Sequence, residues 1–502
     1  MEMSAKCICC IAVFSLLALV SGCTVGPDFH RPEVPAAAGY TAQPLTATAS
    51  SPNVAGGEQQ RFIKDMDIPQ QWWALFESPP LNSLIEKSIK ANPTIDAAKA
   101  ALRQARENVA AQKGLFYPAV QADGSASRRK DATETLSPTL SSGAAYFTLY
   151  TAQLTVSYMP DVFGLNRRQV ESLSAQAELQ LFQLEAAYLT LTSNVAAAAV
   201  QEASLRAQIA ATHRIIEIAA KLLDIQRRHF ALGSATGLDV AAQEAALAQV
   251  QANLPPLEKQ LALTRDLLTA LAGRFPSQEM EEKFDLDALR LPQELPVSLP
   301  SKLVEQRPDV RAAEAQWHSA SAQVGVAVAN MLPQISITGA MGGTSTQIGQ
   351  LFVPGNAFYN LTGSLTQTIF DAGTLLHKKR AAEAGLDQAA AQYRGAVINA
   401  FQNVADTLHA LEADANALKA AVDAERAAGR TLDIIRRQLE LGSANYLAVL
   451  SAEQAWQQAM INLAQARANR FADSAALFMA LGGGWWSRTG LANAQATGLP
   501  VH

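Results

Sequence analysis

Few residues of this 502-residue chain are placed to do chemistry. The four cysteines are Cys7, Cys9, Cys10 and Cys23. Cys7-Ile8-Cys9-Cys10 spells C-x-x-C, but it sits inside an N-terminal apolar run and reads as filler rather than as a redox or zinc motif. The seven histidines (His30, His213, His229, His318, His377, His409 and His502) are scattered without metal-ligand spacing. The sequence has no H-E-x-x-H, no G-x-S-x-G, no phosphate-binding loop and no G-x-G-x-x-G. Paired acids such as Glu281-Glu282 fall in an acidic, proline-punctuated stretch and read as solvated. A hydrolase therefore finds no site, and no metal or dissociable cofactor is expected. Two features remain. One is the thiol of Cys23, a nucleophile that can carry an acyl chain. The other is a set of charged and apolar residues around two Gly-Ser turns.

Residues 7–20 form an apolar run behind Lys6, long enough for a signal peptide and too short to span a bilayer. The run ends in Leu19-Val20-Ser21-Gly22-Cys23, a pattern that resembles a bacterial lipobox. A signal peptide over 1–22 and a diacylglycerol, with palmitate-type acyl chains, on Cys23 are expected. An ordinary signal peptide with an incidental cysteine is the bland alternative. Thr24 after the cysteine, rather than Asp, implies sorting to the outer membrane, by resemblance to lipoproteins.

The elements that must position these residues are mostly helical. Ala, Leu, Gln, Glu and Arg crowd the sequence. Lys and Arg number 40 against 45 Asp and Glu, a net charge of −5, so nucleic-acid binding has no electrostatic support. Proline is absent from residues 161–254 and 355–499, far longer than an ordinary helix of ~12 residues. Gly and Pro are both absent from 167–232, which would make ~100 Å of continuous helix. Its seam repeats every seven residues through Leu184, Leu191, Ala198, Leu205, Thr212 and Ala219, the spacing of a coiled coil. No stretch of the mature chain reaches ~18 uninterrupted apolar residues, so membrane crossing would require β-strands.

The chain is written twice. Pro93, Pro118 and Gly124 recur 215 residues later as Pro308, Pro333 and Gly339. Leu232-Gly233-Ser234-Ala235 recurs 209 residues later as Leu441-Gly442-Ser443-Ala444, and carries Glu244 onto Glu453. The expected layout has the leader at 1–22, then a lipid anchor and extended segment at 23–75. Repeat one covers 76–273, a linker 274–300, repeat two 301–484, and a tail 485–502. Each repeat holds a helix, two strands and a long helical hairpin. The strands are expected at 119–128 and 146–158, then 334–343 and 359–370. They alternate apolar residues with Gln121, Asp123, Ser125, Ser127, Ser336, Thr338, Thr362, Ser364 and Thr366, which fits a wet lumen or a half-buried soluble sheet. Pro255-Pro256 should break the first returning helix; the second has no equivalent.

Four strands cannot close a barrel, two chains would give eight strands and a filled interior, and three would give twelve and a channel. A homotrimer is the simplest closed object.

Cys23-Thr24-Val25-Gly26-Pro27-Asp28-Phe29 resembles the mature start of outer-membrane efflux lipoproteins that serve resistance-nodulation-division (RND) pumps. Trp72-Trp73-Ala74-Leu75-Phe76 resembles their entry motif. Pro160-Asp161-Val162-Phe163-Gly164 and Ile369-Phe370-Asp371-Ala372-Gly373 resemble their strand-to-helix corners, and Ala480-Leu481-Gly482-Gly483-Gly484-Trp485 their C-terminal mark. The resemblance implies a mainly α, TolC-like trimer with a transmembrane β-barrel, a helical periplasmic barrel and a mixed equatorial collar. It implies an exit duct in the outer membrane, fed by an inner-membrane RND-type pump through a periplasmic adaptor (membrane fusion) protein. It also makes the turns at Gly233, Ser234 and Leu238, and at Gly442, Ser443 and Leu447, the adaptor-docking tips; glycines that merely cap helices are the bland reading. A gate would use Asp239 with Arg227, Arg228, Arg436 or Arg437, although the second turn lacks an acid. Trp72-Trp73 and Trp485-Trp486 read as interfacial anchors or as collar packing. The exit channel of a type I protein-secretion system and a structural coiled-coil lipoprotein are the competing functions.

Overall fold

The computed structural model describes residues 24–33, 39–130 and 146–487. The leader 1–22, Cys23, residues 34–38, the loop 131–145 between β-strands and the tail from 488 lie outside the described residues. The chain divides into two compact units, each drawing on both sequence repeats. Of the described residues, the first takes 24–31 with 101–130, 146–180 and 313–393; the second takes the remainder.

The first unit holds one four-stranded antiparallel sheet in the order β2-β3-β5-β6. Its strands are β2 (Ala119–Lys130), β3 (Tyr146–Tyr158), β5 (Gln334–Ser345) and β6 (Ala357–Thr366). The sheet is two hairpins, one from each repeat, joined where Val156 meets Gly339. The register lines up Val120, Val156, Gly339 and Leu361 across one face, with Ala122, Leu154, Met341 and Tyr359 beside them. The opposite face lines up Gln121, Thr155, Ala340 and Asn360, and Ser157, Thr338 and Thr362. Alternation in sequence has thus become one apolar and one mainly polar face, because side chains alternate along a strand and cross-strand partners share a face. Phe147, Leu149 and Phe358 interrupt the polar face. Val120, Leu154, Met341, Tyr359, Leu361 and Leu365 are all exposed. Among the described residues, β2 and β6 each lack a neighbour on one side.

The last strand ends at Thr366, four residues before the sequence expectation. Beyond it Gln367 donates to the Met331 carbonyl, and the Asp371 carboxylate accepts from the backbone of Gly373 and Leu375. These residues therefore serve the corner, not the sheet. Asp161 does the same at the equivalent corner, accepting from the backbone of Asn166 and Arg167 at 2.9 and 2.8 Å. A carboxylate that satisfies orphan N–H groups is the ordinary way to start a helix.

The helices follow the duplication. In chain order they are α1 (Pro79–Ala91), α2 (Pro93–Gly114), α3 (Leu165–Ala231), α4 (Gly237–Ala252), α5 (Leu254–Leu271), α6 (Pro300–Gln306), α7 (Pro308–Ala329), α8 (Thr374–Glu440) and α9 (Tyr446–Ala480). The two long helices, α3 and α8, have 67 residues each. Every seam residue from Leu184 through Ala219 is buried. The first return is split into α4 and α5 at Asn253, just before Pro255-Pro256, whereas α9 runs unbroken. Proline cannot donate to the preceding turn and is tolerated only near a helix start.

In the second unit, segments read as extended or linking gain structure. β1 (Arg61–Lys64) pairs in parallel with β4 (Glu294–Val297). Trp72–Phe76 forms a short 3-10 helix. Trp72 stacks on Phe478 at 5.4 Å, Phe76 lies against Phe471, and the Trp485 indole donates to the Gln306 carbonyl at 2.6 Å. Trp72, Trp73 and Trp485 are buried, so they pack a core and do not anchor an interface. Trp486 is partly exposed and donates to Asp67.

Candidate functional site

Both Gly-Ser turns lie in the second unit, and the same local chemistry builds them. Gly233 has φ +77° and Gly442 φ +74°, the left-handed region that a β-carbon disfavours. Gly233 and Ser234 donate backward to the carbonyls of Phe230 and His229; Gly442 and Ser443 donate to those of Leu439 and Gln438. That double bond closes each long helix with a Schellman cap. The capping role of the glycines is therefore real. Nothing lies within 4 Å of the position a β-carbon would occupy at either glycine. The turns are open on that side.

The next helix starts differently at each turn. Thr236 caps α4 in a reciprocal box: Asp239 N–H donates to the Thr236 hydroxyl, and the Asp239 carboxylate accepts from the Thr236 N–H at 2.9 Å. Asn445 caps α9 by accepting from Ala448 N–H at 2.9 Å. Around these caps stand four leucines in two repeat-related pairs. Leu232 and Leu238 are 80% and 78% exposed; Leu441 and Leu447 are 82% and 69% exposed. Leu238 and Leu447 carry the sequence expectation. Leu232 and Leu441 do not, although each opens the duplicated Leu-Gly-Ser-Ala string and is as exposed.

The gate expected from sequence does not assemble within the protomer. The Asp239 carboxylate is engaged by Thr236, whose hydrogen bonds hold it below its ordinary range. Arg227 instead pairs with Glu244 at 2.6 Å, and Arg436 with Glu453 at 3.2 Å. These are the same bridge in the two repeats, since 209 residues separate both members. Arg228 pairs with Asp224, one turn back on its own helix. Arg437 has no ion pair among the described residues. The physical reason is proximity: a cap takes the nearest N–H, and antiparallel helices present acid and base directly opposite. Burial raises Glu453 above the ordinary glutamate value, and Arg436 only partly opposes this. Tyr446, raised chiefly by burial, also feels the charge of Asp239, so the two turns are neighbours.

The remaining expectations fall in two places. The polar residues read as lumen-lining share one face of the sheet, where Thr155 donates to Asp123 at 3.1 Å. Cys23 lies outside the described residues. Among those described, no group of three or more His, Cys, Asp or Glu is placed to hold a metal. No described helix is long and apolar enough to cross a membrane.

Comparison with known proteins agrees with this architecture. The family model for outer membrane efflux proteins matches residues 84–274 and 299–483, two segments that correspond to the two repeats. The toluene efflux pump outer membrane protein TtgC of Pseudomonas putida is 30% identical over 484 residues, covering 95% of this chain and 96% of the relative. The pyoverdine export outer membrane protein OpmQ of Pseudomonas aeruginosa is 30% identical over 467 residues, covering 91% and 96%. Among solved structures, the outer-membrane channel OprN superposes with a TM-score of 0.81 at 25% identity, covering 92% of this chain and all of that one. The CmeC outer membrane channel of Campylobacter jejuni also gives 0.81, at 21% identity, covering 94% and 98%. With two duplicated strand-and-hairpin repeats, a TolC-like fold and a family model matched over both repeats, the chain belongs to the outer membrane efflux protein family, the non-enzymatic exit channels of efflux pumps.

Proposed function

We propose that three copies of this chain close one twelve-stranded barrel in the outer membrane and form a passive exit duct for toxic small molecules. The observation that carries this reading is the sheet. It has one exposed apolar face, one mainly polar face, and two strands without an outer neighbour. In hydrocarbon an unpaired strand edge costs several kcal/mol for each polar group, so the edges must be paired. Pairing β6 of one copy with β2 of the next satisfies every edge, and twelve strands leave a channel where eight would not. Relatives that export toluene and pyoverdine support small-molecule cargo.

An inner-membrane RND-type pump supplies the energy, and a periplasmic adaptor docks on the exposed leucines of the two turns. Acylation of Cys23 adds a lipid anchor to the barrel's own hold on the outer membrane. The test is a chain deleted and then complemented. Wild type restores resistance to a panel of toxic compounds and conducts in a planar bilayer. Leu238→Asp with Leu447→Asp is expected to weaken adaptor binding ~30-fold, the loss of one buried hot spot, while trimers persist in detergent. A stable monomer in detergent and in the membrane, or wild-type binding by the double variant, overturns the corresponding half of the reading.

A further inference from the structure

The first unit contains an apolar cavity of about 300 Å³ at the foot of its sheet. Its wall comes from three places: Leu115 and Tyr117 after α2, Met159 and Phe163 at the corner between β3 and α3, and Ile335 and Ile337 at the start of β5. Leu115, Tyr117, Met159 and Ile337 are exposed as well as apolar. Large apolar exposure of this kind marks a binding surface.

The N-terminal segment is strapped beside it. The Val25 N–H donates to the Phe163 carbonyl at 3.4 Å. The Thr24 methyl occupies the space where Gly164 would carry a β-carbon, and Gly164 lies between the wall residues Phe163 and Leu165. Farther along, the buried Arg168 guanidinium donates to the carbonyls of Val25 and Gly26 and to Asp28 Oδ1, at 3.0, 3.3 and 2.7 Å. Phe29 stacks on His318 at 4.5 Å. Residues 24–29 are thus held in one course across the unit, and the course ends at the cavity wall. The residue that precedes Thr24 in the sequence is Cys23.

We infer that this cavity seats an acyl chain carried by Cys23. The inference rests on the acylation proposed above and deepens it. A chain long enough for one leaflet reaches ~15 Å, so it enters the cavity without unpinning Thr24 or Val25. The seated chain completes the wall between Tyr117, Met159 and Ile335. The anchor then sets where the strand-to-helix corner lies against the membrane, beyond merely tethering the protein. The strap of Arg168 is the device that aims it.

The test feeds cells a fatty acid carrying a mid-chain diazirine, irradiates membranes, and maps adducts in the purified trimer by mass spectrometry. Adducts on Met159, Phe163 or Ile335 of the acylated chain are expected, with at least a tenfold loss in Ile335→Trp, which fills the cavity without touching the strap. Label on Cys23 with adducts only elsewhere overturns the seat and leaves the anchor standing. No label on Cys23 removes the anchor and the seat together. Equal adducts at these residues in Cys23→Ala show that a free membrane lipid fills the cavity, and also overturn the covalent occupant.

Discussion

The two return arms of the duplicated hairpins solve the same problem in opposite ways. Each carries an arginine, half-buried in the first and buried in the second, that ties down a segment outside the repeat. In the first, Arg265 donates to Glu202 at 3.0 Å and to the carbonyls of Met280 and Glu282, which holds the linker. Glu202 is fully buried and fully used, since it also accepts from Arg206 and from the Phe284 N–H. In the second, Arg470 donates to the Glu58 carbonyl at 2.9 Å, which holds the N-terminal segment. Its Nε and Nη1 are buried without a protein partner, as is Asp414 Oδ2. Asp414 shares a hydrogen bond with Asp473, and two carboxylates can do so only around one proton. At the 209-residue shift these acids stand where the first repeat has Leu205 and Thr264. Duplication preserved the helices; the polar interior diverged with the segment each arm must hold. A satisfied buried charge network stabilises, while an incompletely partnered one is retained at a cost in stability.

Breaking the satisfied network should cost most. Arg265→Met leaves Glu202 short of a partner and is expected to lower stability by about 3 kcal/mol in urea unfolding of the purified protein, whereas Arg470→Met is expected to be close to neutral. Equal losses would dissolve the distinction between the arms. The repeated bridges near the turns sharpen it on a smaller scale. Glu453 is buried and Glu244 is exposed. Glu453→Gln should therefore cost about 1–3 kcal/mol in local hydrogen exchange, and Glu244→Gln under about 1 kcal/mol.

A pH dependence near neutrality belongs to the second arm. Burial, then the hydrogen bond and charge of Asp473, raise Asp414 from 3.8 to about 7, against the pull of Arg470. The folded arm therefore binds a proton that the unfolded chain releases. The stabilisation is complete below about pH 4 and is lost as the pH rises through 7. Asp414→Asn should flatten the melting temperature between pH 5 and 8, with most of its gain at pH 8; an unchanged slope would remove the shared proton. The smallest effect is expected at the helix break. Pro255→Ala with Pro256→Ala should change stability by under about 1 kcal/mol, because both prolines already sit in the first turn of α5, while slowing amide exchange around Asn253.

Much of the fold is legible in the residues. The duplication, the long helices, the buried seven-residue seam and the alternating strands all follow from periodicity, and periodicity reports which face is covered. The break at Pro255-Pro256 follows from a missing N–H. The turns at Gly233 and Gly442 were visible as a repeated tetrapeptide, and Leu232 and Leu441 were open to the same reading. Other features were not visible. The pairing of Arg61–Lys64 with Glu294–Val297 joins segments more than 200 residues apart that carry no shared pattern. The partners of Asp239, Arg227, Arg228 and Arg436 within the protomer depended on which group stood nearest in space, which nearness to the turn in sequence does not give. The strap of residues 24–29 on Arg168 is of the same kind.

By itself the sequence determined the local elements, their order and the face each must bury, because these depend on spacings within a few turns or a few strand residues. Tertiary structure alone decided which charges meet, which tryptophans are buried and where the N-terminal segment lies. Those outcomes depend on competition among groups far apart in the chain, and the winner is set by distance and burial after the elements have packed.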